Sequence, residues 1–233
     1  MADITCRHVA ALVDVSPTMR PHLEGVKRDI SQAIEGVLAK GNSSRQFGLV
    51  TCGSDVAPAV YGVELEPATA LGVAVEFHMQ RPSLIIRDRV IQLRQGNSQP
   101  DYLSGIWEAA EILRKESPNG SQHARTVFFV SDLRSGLPDD GKSIGPLAAA
   151  MKKAMTNMVV SIVPTPHLGD EAKRDFETNV ALMERLCEQL NEPAADGSIV
   201  PARRRSVIMI ESHAMTNRES NAWNLRAALT SSD

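Results

Sequence analysis

Three oxygen-bearing side chains, Asp14, Ser16 and Thr18, occupy alternate positions in the segment LVDVSPTM. That spacing aims one carboxylate and two hydroxyls from one loop in roughly one direction. Two other places can add oxygen ligands: Ser98 and Asp101 in GNSQPDYL, and Asp132 in FFVSDLRSG. An oxygen-only shell suits a hard cation, magnesium or manganese. The same residue types also serve as turn and N-cap residues in strand-to-helix loops whatever the function, so each carries a purely structural alternative.

Other chemistry finds less support. Ser16 or Ser131 as a nucleophile needs a base within reach and an oriented third group, and no G-x-S-x-G elbow suggests one. No G-x-G-x-x-G or G-x-x-x-x-G-K-[ST] loop follows an apolar run, which argues against a bound dinucleotide or nucleoside triphosphate. His8, His22, His78, His123, His167 and His213 show no metal spacing and read as surface or capping side chains. Arg203, Arg204 and Arg205 read as a solvated loop before a strand.

The elements that must position these residues follow from hydrophobic patterning. HVAALVDV, Phe47 to Thr51, TVFFVS and MVVSIV are short continuous apolar runs, the pattern of strands buried on both faces. Val56 to Leu65 and Val73 to Met79 alternate and read as half-exposed edge segments. Ser206 to Ile210 is a further strand. Helical spacing predicts helices over Pro21 to Ala39, Ser83 to Leu93 (Leu84, Ile85, Val90, Ile91), Tyr102 to Leu113, Ile144 to Met155, Glu171 to Leu190 and Thr216 to Leu229. Trp107, Met151, Met155 and Met158 read as core.

Strand and helix alternate throughout, without an internal repeat or a linker. The expected architecture is therefore one α/β domain over residues 1–233: three layers, doubly wound, with a mostly parallel sheet and one antiparallel edge strand. In such sheets the loops at the carboxyl ends of the strands converge on one crevice. Asp14, Ser98, Asp101 and Asp132 all fall at that edge.

Composition narrows the class. A chain of 233 residues with 42% hydrophobic content can bury a sizeable core. A formal charge of −3 gives no positive field for gripping DNA. Cys6, Cys52 and Cys187 stand far apart, which fits a reducing compartment. No apolar run is long enough to span a bilayer, and the start lacks a signal peptide's basic head, so the expectation is the cytosol or nucleus.

The D-x-S-x-T loop with a distant aspartate resembles the metal-ion-dependent adhesion site of von Willebrand factor A domains. Asp14, Ser16, Thr18 and Asp132 match that pattern residue by residue. Where the family places a threonine this chain reads GNSQPDYLSG, so Ser98 or Asp101 has to stand in. A closer similarity lies in LVDVSPTMRPHLEGVK, FGLVTCGSD, GNSQPDYLSGIWEAAEIL and FFVSDLRSG, which resemble the N-terminal domain of the larger subunit of the eukaryotic Ku heterodimer. It covers roughly the first two thirds of the chain and weakens after Pro164.

That resemblance implies a nuclear, non-enzymatic interaction domain. It implies a role in end joining of DNA double-strand breaks and in telomere upkeep, with a second Ku subunit and repair-factor peptides as partners, no membrane, and DNA reached only through other domains. The family's metal site is often degenerate, so a magnesium ion is not required. The Ku β-barrel and helical arm would follow this domain, which makes the chain look like an excised domain or a shortened homologue. The alternatives are a von Willebrand factor A scaffold of another assembly, such as the proteasome ubiquitin receptor or a TFIIH subunit, and a metal-dependent hydrolase resting on Asp14 and Asp132.

Overall fold

The computed structural model describes residues 8–39, 46–54, 72–81, 83–116, 125–134, 144–163, 169–193 and 206–210. Its strands are β1 (His8–Asp14), β2 (Gln46–Cys52), β3 (Val73–Gln80), β4 (Arg125–Ser131), β5 (Thr156–Ile162) and β6 (Val207–Ile210). Its helices are α1 (Leu23–Ala39), α2 (Leu84–Ile91), α3 (Tyr102–Glu116), α4 (Ile144–Lys153) and α5 (Asp170–Asn191). The expected segments Val56 to Leu65 and Thr216 to Leu229, and Arg203 to Arg205, lie outside the described residues.

The six strands form one sheet in the order β3-β2-β1-β4-β5-β6. Five are parallel, and β3 pairs antiparallel with β2 at the edge. This is the expected doubly wound sheet with one reversed edge strand. The central strand β1 is buried along its whole length, because its alternate residues serve two cores. Ala10 and Leu12 join the core under α3, α4 and α5, while Val9, Ala11 and Val13 join the core under α1 and α2. A continuous apolar run is therefore what this position demands.

Some sequence expectations need correction. On α2 the inward residues are Ile86 and Val90, whereas Leu84, Ile85 and Ile91 face solvent. The helical spacing is real, but only tertiary contact with α1 chooses which stripe turns in. Met151 and Met158 are buried as expected, but Met155 is 44% exposed, because it sits in the turn after α4 with φ +50°. His8 and His22 are buried rather than on the surface. His8 opens the central strand between Gln46 and Arg125 of its neighbours, and the 3-10 turn Pro17–Met19 leads into His22, whose backbone N–H donates to the Met19 carbonyl.

A candidate cation-binding rim at the carboxyl edge of the sheet

Parallel pairing of β1 with β4 sets Val13 beside Val130, so the residues that follow these strands emerge on one rim. After β1 the chain makes a tight turn in which the Ser16 N–H donates to Asp14 Oδ1 at 2.9 Å. That bond, together with the 3-10 turn, points Ser16 and Thr18 across the rim. The Thr18 hydroxyl donates to Asp132 Oδ1 at 3.0 Å. Its proton being spent there, the 3.1 Å contact between Ser16 Oγ and Thr18 Oγ1 has Ser16 as donor. Ser16, Thr18 and Asp132 thus form one directed chain, with the lone pairs of Ser16 left over.

Asp132 is 1% exposed. Its Oδ1 also accepts the Arg134 backbone N–H at 3.2 Å, while its Oδ2 is buried with no hydrogen-bond partner. A buried carboxylate oxygen left without a donor is costly. Burial pushes the Asp132 carboxyl up from the usual carboxylate range, against the opposing pull of its hydrogen bonds and of the Arg134 guanidinium.

Asp14 lies deeper. Its Oδ2 accepts the Ser131 hydroxyl at 2.6 Å and the Tyr102 hydroxyl at 3.1 Å, and those two hydroxyl oxygens stand 3.2 Å apart. Burial pushes its carboxyl up to about 6, with the charge of Asp132 adding to the rise and the bonds from Ser131 and Ser16 opposing it. Asp14 is therefore a braced carboxylate behind the rim. Cys52, beside it, is a buried thiol pushed well up by the same burial and by the charges of Asp14 and Asp101.

The third loop is locked in backbone to backbone. The Gly96 N–H donates to the Val15 carbonyl at 2.7 Å and the Ser98 N–H to the Gly53 carbonyl at 3.3 Å. A Cβ on Gly96 would come within 1.9 Å of the Gly53 oxygen, so only glycine allows this approach. Gly53, at φ +83°, in turn lies against Ser16. Half-buried Ser98 is thereby brought next to the D-x-S-x-T loop. Asp101 does something else, since its Oδ1 accepts the Ser104 N–H at 2.9 Å and its Oδ2 accepts the Ser104 hydroxyl. That is the capping of α3, the structural alternative for an aspartate before a helix.

The supports of the rim are not legible in the sequence pattern. Helical spacing alone gives Tyr102 no role beyond its helix, yet it is fully buried, stacks tilted against Phe129 at 5.3 Å and reaches Asp14. Asn179 of α5 is also buried and donates from Nδ2 to the Leu133 carbonyl at 2.9 Å. Leu133 has φ +53°, a conformation that costs a non-glycine residue about 1 kcal/mol or more, and its N–H is held by Ser131 Oγ at 2.9 Å. A polar residue in an otherwise amphipathic helix is the available signal for Asn179. Its target cannot be read without the fold.

The donor set fits a weakly held hard cation: hydroxyls of Ser16 and Thr18 with the orphaned oxygen of Asp132. Among the described residues no group of three or more His, Cys, Asp or Glu side chains gathers as a transition-metal site would require. No helix among the described residues is long and apolar enough to cross a membrane.

No protein-family model matches the sequence, and no curated protein does. Solved structures are similar in fold. A von Willebrand factor type A protein from Catenulispora acidiphila superposes with a TM-score of 0.53 at 14% identity, over 97% of this chain and 43% of that one. The pilus adhesin SpaC from Lactobacillus rhamnosus GG, in its open conformation, gives 0.58 at 10% identity over 98% and 31%. Proximal thread matrix protein 1 from the mussel byssus gives 0.57 at 10% identity over 97% and 47%. This chain spans less than half the length of each of these proteins. Its sheet order, reversed edge strand and helical layers are those of a von Willebrand factor A-like fold.

Proposed function

We propose that this chain is a non-enzymatic protein-docking domain whose partner closes the rim formed by Ser16, Thr18 and Asp132. The observation that carries this reading is the buried, unpartnered Oδ2 of Asp132, on the carboxylate whose other oxygen accepts the Thr18 hydroxyl, itself in contact with Ser16. A magnesium ion held by these three residues would supply a positive charge on which an acidic group of a partner completes the shell. The chain's own groups do the rest. Tyr102 and Ser131 brace Asp14, and Asn179 holds the loop that carries Asp132.

Several observations favour docking over turnover. Ser131 is fully buried, and its oxygen already accepts the Leu133 N–H, so it is not open to a substrate. His8 stands at the start of β1, at the opposite end of the strand from the rim, and so is out of reach as a base for Ser16. The hydrolase reading needs a nucleophile paired with a base, and neither Ser131 nor His8 supplies its part.

The finer assignment rests on the resemblance to Ku. We place the domain in a Ku-type complex acting in nuclear end joining of DNA double-strand breaks and telomere upkeep. It would bind a second Ku subunit and repair-factor peptides, with DNA reached through other parts of a parent protein. In support, the stretches DVSPTM, GNSQPDYL and VSDL, which carry the resemblance, lie along one rim. Coexpression with a second Ku subunit, followed by calorimetry with end-joining peptides in magnesium, tests it. The expected result is a complex weakened by Asp132→Ala. Recovery of proteasome or TFIIH components without a Ku partner would assign the domain to another assembly. Magnesium-dependent hydrolysis in an activity screen would overturn the non-enzymatic reading.

A further inference from the structure

The exposed face of α2 is built unlike any other surface among the described residues. Among the described residues five large hydrophobic side chains are markedly exposed, and three of them, Leu84 (57%), Ile85 (73%) and Ile91 (53%), lie on this one short helix. Single exposed apolar residues are normal, but three on neighbouring positions form a patch. Leu84 and Ile91 are seven residues apart and so lie on one line along the helix, with Ile85 one step round. Folding does not use them: Ile86 and Val90 already bury the inner face against α1 and the sheet.

The charges around the patch say what it fits. Arg87 lies between the apolar residues along the axis, and its guanidinium is held by Asp88 at 2.6 Å and Glu35 of α1 at 3.1 Å. One guanidinium between two carboxylates leaves this cluster with one negative charge net. Arg81 before the helix and Arg94 after it are both exposed, and neither makes an ion pair among the described residues. The patch is thus an aliphatic stripe with an unneutralised cation at each end.

We propose that this face of α2 docks a short amphipathic helical segment of a partner protein, with two or three aliphatic side chains flanked by carboxylates. The proposal is independent of the rim and of any cation there. Two other occupants fit the charges less well. Two-fold pairing of this face with a second copy in antiparallel register would set Arg81 against the other copy's Arg94, like against like. An anionic membrane surface would meet Asp88 in the middle of the stripe.

The test uses fluorescence anisotropy with a labelled synthetic helical peptide carrying leucines at helical spacing and glutamates at both ends, beside the same peptide with lysines for glutamates. The acidic peptide is expected to bind about tenfold more tightly, the sum of two surface charge pairs. Leu84→Ser with Ile85→Ser should abolish binding. Arg81→Glu with Arg94→Glu should reverse the preference between the peptides. All four side chains are exposed, so circular dichroism should confirm an unchanged fold in each variant. Equal affinity for both peptides, or binding that survives the serine variant, would overturn the proposal. So would self-association lost in Ile85→Asp, or binding to phosphatidylserine vesicles without binding to the peptide.

Discussion

Thr18 and Asp132 are 114 residues apart in sequence, and the hydroxyl of one donates to the carboxylate of the other at 3.0 Å. The bond joins the loops after β1 and β4, which are neighbours in the sheet. It uses one oxygen of Asp132 and leaves the other buried without a donor.

A cation held at that open oxygen, as proposed, should stabilise the fold. With magnesium at about ten times its dissociation constant, the folded state should gain about 1.4 kcal/mol, which for a chain of this size is a rise in Tm of a few degrees. Asp132→Asn should remove the rise, and so should Thr18→Val. Scanning calorimetry with and without magnesium checks both.

Glu76 of the edge strand gives the fold a pH dependence away from the rim. It accepts the Thr51 hydroxyl at 2.9 Å, and burial pushes its carboxyl up to about 7, against the attraction of Arg89. An acid whose folded value is raised stabilises the fold fully at pH below its unfolded value. Between about 4.5 and about 7 the unfolded chain ionises first, so stability falls as pH rises and then levels off. The loss is of order 3 kcal/mol. Glu76→Gln should flatten this slope and raise stability at pH 8, read from urea midpoints across the pH range.

Asn179 should matter at the rim without touching a ligand. Its amide holds the carbonyl of Leu133, the residue in a strained backbone next to Asp132. Asn179→Ala leaves that buried carbonyl without its donor and should cost about 1–3 kcal/mol of stability. It should also weaken magnesium or partner binding beyond what the stability loss explains. A binding titration well below the variant's Tm separates the two effects.

Met155 offers the opposite sign. Its backbone is left-handed at φ +50° in the turn between α4 and β5, and its side chain packs little. Met155→Gly should therefore stabilise the fold by about 0.5–1 kcal/mol, the strain relieved less the extra entropy of an unfolded glycine. A rise in the denaturation midpoint at unchanged slope is the expected result.

Much of this molecule was written along the chain. Continuous apolar runs ending in Asp14 and in Ser131-Asp132 announced buried parallel strands with acidic residues at one edge, because a strand covered on both faces has no polar side to show. The alternation in Val73 to Met79 likewise announced an edge strand. These are local signals, set by which residues tolerate burial. The tertiary structure decided what required partners from far away. It made Tyr102 a brace for Asp14, gave Asp101 to the cap of α3, tied Asn179 to Leu133, and turned Leu84, Ile85 and Ile91 outward. A side chain's periodicity fixes the stripe it belongs to, but whether that stripe is buried depends on what packs against it, and packing is a property of the whole sheet.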